Sequence, residues 1–251
     1  MNKTQRFFSD VSLSYRCIQV VLGGLLGDSS LKLQKGYRNA RYQIRHSINQ
    51  KNYLEWKHKS LKEIALPKLQ EQKPDGFSTN KKISFQSKAH NELTKIHKVV
   101  CKNNKLVIEH GWINALDELA LLVWWLDDGS LVAGRKQGCF CTDGFSLETV
   151  KILQEYLADA WNIKVRVATQ NNTRIKNSKQ SVYYRLYLNN SELRKLFDVI
   201  MPHLEVETMV QKFTLVYNDF DFKQRWICTM KKAMPESMHK SIDLWYASRT
   251  K

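Results

Sequence analysis

Apolar residues concentrate in two runs, 17–26 and 116–126, each reading as a buried helix that stops at an acidic residue. Small residues that turn the chain follow each run. After the first run, residues 31–35 and 41–47 alternate as a pair of strands. Residues 50–66 then take helical spacing, with Tyr53, Leu54, Leu61 and Ile64 on one side. Residues 81–87 predict a strand and 91–101 a helix with Leu93, Ile96 and Val100 inward. After the second run the order recurs: strands at 131–133 and 138–142, then a helix over 146–161. Ser146 is its N-cap and Leu147, Val150, Leu153 and Leu157 face inward. Strands at 164–169 and 182–188 precede a helix at 191–200, ended near Pro202. The polar loops at 70–79 and 171–181 read as exposed hairpin tips or linkers. Trp112, Trp124, Trp125 and Trp161 read as core. The last 30 residues, with Trp226, Met230, Met238 and Trp245, read as helix packed on the second half.

Each half thus runs helix, strands, helix, strands, helix, and the halves share an echo displaced by 100 residues. Leu26-Gly27-Asp28-Ser29-Ser30-Leu31 matches Leu126-Asp127-Asp128-Gly129-Ser130-Leu131. Two α+β units follow, 1–110 and 111–251, with the C-terminal helical segment added to the second. Gly23 and Gly27 lie four apart on one helix face, where missing side chains let another backbone approach. The natural partner is the second apolar helix. Side by side, the two helices would bring Asp28 and Asp128 together at their ends. Two carboxylates a few ångströms apart repel by about 4 kcal/mol at an effective dielectric near 20. A proton or cation between them removes that cost. A magnesium ion, Mg²⁺, takes one or two protein carboxylates plus waters and phosphate oxygens. Such an ion supports phosphodiester hydrolysis.

The chain carries a net charge of +16 with a pI near 9.6, a surplus that suits a polyanion, nucleic acid before a membrane surface. Residues 1–113 hold +13 of it and 114–251 the remaining +3. At 43% hydrophobic and 25% charged, the composition is that of a globular chain rather than a disordered one. No apolar run approaches the roughly 20 residues that span a bilayer, so no membrane partner is expected. Five scattered cysteines, with Cys139 and Cys141 two apart, suit neither a zinc knuckle nor a disulfide framework. Reduced thiols in an intracellular protein are expected. His46, His90, His97 and His110 show no metal-ligand spacing and receive no role.

The two helix ends, residues 21–28 (Val-Leu-Gly-Gly-Leu-Leu-Gly-Asp) and 121–129 (Leu-Leu-Val-Trp-Trp-Leu-Asp-Asp-Gly), resemble the paired motifs of single-chain LAGLIDADG homing endonucleases. The likeness is to the subgroup whose first motif ends in Leu-Gly-Asp and whose second ends in Asp-Asp-Gly. Arg45-His46-Ser47 leading to Gln50-Lys51-Asn52-Tyr53-Leu54, Lys102-Asn103-Asn104-Lys105, and Met209-Val210-Gln211-Lys212 extend it to about residues 15–215. The resemblance implies two pseudo-symmetric αββαββα-like units with antiparallel, saddle-shaped sheets, joined at a two-helix interface, with motifs at about 21–29 and 121–129. It implies a magnesium-dependent double-strand cut at a long target, as in intron homing, by a monomer with pseudo-two-fold symmetry.

By the same resemblance Asp28 and Asp128 are metal ligands for Mg²⁺, with Mn²⁺ or Ca²⁺ able to occupy the site. The backbone carbonyls of Gly27 and Asp127 add to it, and the Asp127 side chain reads either as a third acid or as a cap on its own helix. Lys212 matches a basic residue supporting hydrolysis; Lys105 is its first-half counterpart, with Leu106 as rival occupant. Val123, Trp124 and Asp127 depart from the small residues of the family consensus. Double-stranded DNA is the implied partner, read by strand side chains while Lys and Arg grip phosphates. The candidates are Lys32, Gln34, Arg41, Gln43 and Arg45, then Arg135, Lys136, Arg166, Thr169, Gln170 and Arg185. A one-residue slip in strand phase reverses any of these assignments. The same scaffold also serves RNA maturases, with intron RNA as partner, and DNA-binding proteins that have lost cleavage.

Overall fold

The computed structural model describes residues 3–73, 81–171 and 182–249. It divides into two compact units, the first running through Asp127 and the second from Asp128. In the first, α1 (Lys3–Phe7) and α2 (Tyr15–Leu26) lead to β1 (Ser29–Lys32), β2 (Arg41–Ser47) and α3 (Lys51–Ser60). Then come β3 (Gln70–Gln72), β4 (Lys82–Gln86), α4 (Asn91–Val100), β5 (Cys101–Lys102), β6 (Lys105–Leu106), α5 (His110–Ile113) and α6 (Glu118–Asp128).

The Ser14 hydroxyl caps α2 by accepting the Cys17 N–H at 3.3 Å. Every α2 residue from Cys17 to Leu26 is buried, Gln19 included. A buried amide must be bonded to be tolerated. Gln19 donates to the Thr4 hydroxyl at 2.6 Å and the Ala115 carbonyl at 3.0 Å, and accepts the Asp117 N–H at 2.9 Å. Asp117 in turn accepts the Ala120 N–H at 3.0 Å, so the start of α6 is tied to the middle of α2. That tie keeps α5 and α6 in the first unit, against an expected boundary after residue 110.

The approach of the two helices is as close as the glycine spacing predicts. A Cβ at Gly23 would stand 2.4 Å from the Ala120 carbonyl oxygen and 2.8 Å from its Cα. Neither backbone atom can yield without moving a helix. Gly23→Ala is expected to cost roughly 1–3 kcal/mol as overpacking, read as a lowered midpoint in urea. An unchanged midpoint would mean the helices stand further apart than described.

The first sheet is antiparallel in the order β1-β2-β4-β3. Leu31, Tyr42, Ile44, His46, Ile83 and Phe85 face the core, while Lys32, Gln43, Arg45, Ser84 and Gln86 lie on the opposite face. Three elements differ from expectation. Residues 70–72 form strand β3 on β4 rather than loop. Helix α3 stops at Ser60, although Leu61 and Ile64 stay buried in the turns beyond it and so mimic a continuing helical face. The β5–β6 hairpin turns on Asn103 and Asn104, both at positive φ (51° and 60°), which asparagine tolerates. Residues 74–79 and 172–181 of the expected loops lie outside the described residues.

The second unit contains β7 (Gly129–Val132), β8 (Gln137–Phe140), α7 (Leu147–Trp161), β9 (Arg166–Asn171), β10 (Val182–Leu188) and α8 (Asn190–Ile200). α9 (Phe220–Ala233) and α10 (His239–Ala247) follow. Its sheet order, β7-β8-β10-β9, repeats that of the first. Ser146 caps α7 as expected, accepting the Thr149 N–H at 3.3 Å. The C-terminal helices are pinned inward. The Trp226 indole donates to the Phe213 carbonyl at 3.1 Å and the Tyr246 hydroxyl to that of Leu215 at 2.6 Å. Trp112, Trp124 and Trp125 are fully buried as predicted, whereas Trp161 is only half-buried and donates to the Tyr156 hydroxyl. No helix among the described residues is long and apolar enough to cross a membrane.

Candidate active site and nucleic-acid interface

In the first unit, Asp28 follows the C-terminus of α2 with its side chain 39% exposed. Beneath it lies a buried polar cluster. His46 occupies an inward position of β2, and its Nδ1 stands 3.3 Å from Asp28 Oδ2. Tyr53 and Lys57, one turn apart on α3, both reach Asp127 of α6. The Lys57 ammonium donates to both Asp127 oxygens, at 2.6 and 2.8 Å, and the Tyr53 hydroxyl donates to Oδ1 at 2.8 Å. Asp127 Oδ2 also accepts the backbone N–H of Asp28 at 3.3 Å. Burial, then the Asp127 charge, push the Tyr53 phenol well above its ordinary pKa, so it stays a proton donor.

Gly27 makes room for this arrangement. A Cβ there would meet Asp127 Cβ at 2.4 Å and Oδ2 at 2.7 Å. Of the two readings of Asp127, the structure favours a third acid near Asp28 over a cap on its own helix. Its oxygens serve as acceptors for an ammonium, a phenol and a backbone amide.

The outward face of the first sheet borders Asp28. Lys32, Arg41, Arg45 and Lys82 supply four cations, and Ser30, Gln43, Gln70, Gln72, Ser84 and Gln86 supply amides and hydroxyls. No acid shares those strand positions. A concavity of about 480 Å³ runs across it, lined by Asp28, Ser30, Gln43, Arg45, Gln72 and Gln86 among others. Lys32, Arg41, Gln43 and Arg45 thus lie on the face expected of them. Gln34 does not: β1 ends at Lys32, and Gln34 sits in the turn closed by the Tyr37 N–H.

In the second unit Asp128 is half-buried, and its carbonyl accepts the Cys141 N–H at 2.9 Å. Lys212, on a 3-10 turn (Glu207–Phe213), donates to the adjoining Gly129 carbonyl at 2.6 Å, which sets its ammonium beside the second motif. Lys105 is exposed on β6, paired across the hairpin with Lys102. Leu106, its rival, is half-buried opposite Cys101.

The DNA-facing assignments of this unit need revision. Arg166 and Gln170 share an outward face with Tyr187: the Arg166 guanidinium lies 5.5 Å from the Tyr187 ring centroid, and Gln170 donates to the Tyr187 hydroxyl. Thr169 is in register with Tyr184 and so points to the other face, since adjacent strand residues cannot share one. Arg135 is structural. Its backbone is at φ +66°, its guanidinium donates to the Thr214 carbonyl at 3.0 Å and to the Thr214 hydroxyl at 2.7 Å, and it covers the Trp245 ring. Lys136 is exposed in the β7–β8 turn. Arg185 is outward but paired with Asp143 through two bonds, at 2.6 and 2.5 Å. That pairing raises its pKa further, burial opposing. Cys17, Cys101, Cys139, Cys141 and Cys228 are free cysteines.

The sequence gives His46 and Lys57 no role, and places Tyr53 only on one side of its helix and within the family-like stretch at 50–54. For His46 a signal was available: alternation puts it inward beside Tyr42 and Ile44, and an inward histidine needs a partner. Lys57 gives no such signal, because a lysine on an amphipathic helix ordinarily faces water.

A model of the LAGLIDADG DNA endonuclease family matches residues 18–196. The cytochrome b mRNA maturase bI2 of Debaryomyces hansenii is 26% identical over 198 residues, covering 76% of this chain and 71% of that protein. RecA of Mycolicibacterium chitae is 29% identical over 169 residues, but the match spans 62% of this chain and only 38% of that protein's length. Among solved structures, the homing endonuclease I-WcaI bound to its DNA recognition sequence superposes with a TM-score of 0.67 at 21% identity, covering 86% of this chain and 92% of that one. With motif helices, repeated sheet order and a family match over most of its length, this chain belongs to the LAGLIDADG DNA endonuclease family.

Proposed function

We propose that this chain is a site-specific endonuclease that hydrolyses both strands of a long double-stranded DNA target with a divalent cation. One observation carries the reading: the exposed Asp28 carboxylate stands at the edge of a sheet face whose outward strand positions, among the described residues, hold cations and no acid. Such a face attracts phosphate, and a carboxylate at its rim suits a hard ion that keeps most of its ligands for water and phosphate oxygens. Asp28 and Asp128 would hold Mg²⁺, which would supply an activated water and stabilise the leaving oxygen. Lys212, fixed on the Gly129 carbonyl, holds a positive charge beside the second motif. Lys32, Arg41 and Arg45 grip or read the duplex.

A maturase reading is favoured by one specific observation, the 26% identity to a cytochrome b mRNA maturase. In that reading the cationic face binds intron RNA. Retention of an acid at both motif ends supports the nuclease, since RNA binding does not need them. Selection of cleaved sites from a randomised duplex library with Mg²⁺ tests this directly. Asp28→Asn is expected to cut cleavage by about 100-fold, near 2.7 kcal/mol of barrier, with duplex affinity retained. A wild-type chain that nicks no library member under Mg²⁺ or Mn²⁺, yet binds structured intron RNA, would decide for the maturase.

A further inference from the structure

We propose that the Asp127 side chain is a positioning group for Asp28, locked by Lys57 and Tyr53, and not a metal ligand. The inference rests on the reading of Asp28 as a metal ligand and assigns the chemistry around it. Asp28, His46 and Asp127 offer three potential ligand atoms within 4.8 Å of one another, which by composition alone suggests a three-ligand metal centre. The bonding around Asp127 points elsewhere. Both its oxygens already take hydrogens from the Lys57 ammonium, one takes a third from Tyr53, and the other takes the Asp28 N–H. Lys57 and Asp127 side chains have no solvent exposure, so the ammonium cannot swing aside into water. A divalent ion on Asp127 would sit within a few ångströms of that ammonium, a like-charge approach that solvent does not reach to screen. The ammonium already supplies the charge balance that a metal would otherwise provide.

What remains for Asp127 is geometry. Its Oδ2 fixes the peptide N–H of Asp28 at the point where the chain leaves α2, and His46 Nδ1 meets the carboxylate of Asp28 from below. The Asp28 side chain is thereby steered from its own backbone and from one flank. The absence of a side chain at Gly27 completes the cradle, since any Cβ there would occupy the space of the Asp127 carboxylate. In the second motif the position matching Gly27 is Asp127 itself, so this clamp serves the first motif alone.

Two charge-free double variants separate the possibilities while leaving no buried charge unpaired. Lys57→Met with Asp127→Asn keeps an oxygen acceptor for the Asp28 N–H; Lys57→Met with Asp127→Leu removes it. Both are made in an Asp128→Asn background, so that Mn²⁺ bound, read by electron paramagnetic resonance on the full chain, reports Asp28. Circular dichroism verifies folding. The Asn variant is expected to bind Mn²⁺ within about threefold of its parent, and the Leu variant about 10–100-fold more weakly, the range for lost outer support of a ligand. Loss in both would make Asp127 a ligand, and parental binding in both would make it merely structural; either outcome overturns the proposal. Asp28→Asn in the same background is the separate control. If it binds Mn²⁺ like its parent, the metal assignment of Asp28 is what fails.

Discussion

Lys57→Met alone is expected to lower stability by about 3–5 kcal/mol, because it strands the Asp127 carboxylate in the core without its cation. The side chains of both partners are wholly inaccessible. The desolvation cost that Lys57 offsets is not recovered by water in the variant, and among the described residues Tyr53 and the Asp28 amide are the carboxylate's remaining hydrogen-bond donors. The measurement is the urea midpoint by circular dichroism. The diagnostic is the second step. Adding Asp127→Leu to Lys57→Met should return the midpoint to near the parent, since replacing a buried ion pair by apolar groups of similar volume is often neutral or stabilising. A single variant as stable as the wild type, or a double variant worse than the single, would contradict the burial and bonding described for this pair.

The same pair shows where reading the chain as a string runs out. Alternation and helical spacing locate the elements because burial repeats at periods of 2 and 3.6. β2, α4, α7 and β10 therefore fall within a residue of expectation, and the glycine spacing of α2 foretells its approach to Ala120. The outward face of β2 was legible for that reason, with Arg41, Gln43 and Arg45 at alternate positions. Hydrogen-bonded partners between distant residues are not periodic. Lys57 and Asp127 are 70 residues apart, and each alone resembles an ordinary surface charge. Arg135 failed for a related reason. It sits in the turn between β7 and β8, where a left-handed backbone turns it onto Thr214 and Trp245. Thr169 failed on phase alone: β9 starts at Arg166 rather than 164, and its register with β10 assigns the faces.

The cationic face also sets how binding must respond to salt. The chain holds +16 overall, and the outward positions of the first sheet alone carry Lys32, Arg41, Arg45 and Lys82. If about six phosphates are neutralised, the slope of log affinity against log salt is about −5. Affinity for a duplex should then fall about 10³-fold between 50 and 200 mM monovalent salt. Fluorescence anisotropy with a labelled duplex and Ca²⁺ in place of Mg²⁺ measures it without turnover. Arg45→Gln then sorts the role of one side chain. Should Arg45 grip phosphate, the slope becomes shallower by about one and affinity falls evenly across sequences. Should it read guanine through a bidentate contact, one base preference relaxes, at a cost of about 1–3 kcal/mol at that position. Arg185→Gln is expected to do less of either, because the Arg185 fork is already engaged by Asp143 and must give up that pair before touching DNA. A slope near zero would remove phosphate neutralisation as the source of affinity, and with it the reason for placing a duplex on this face.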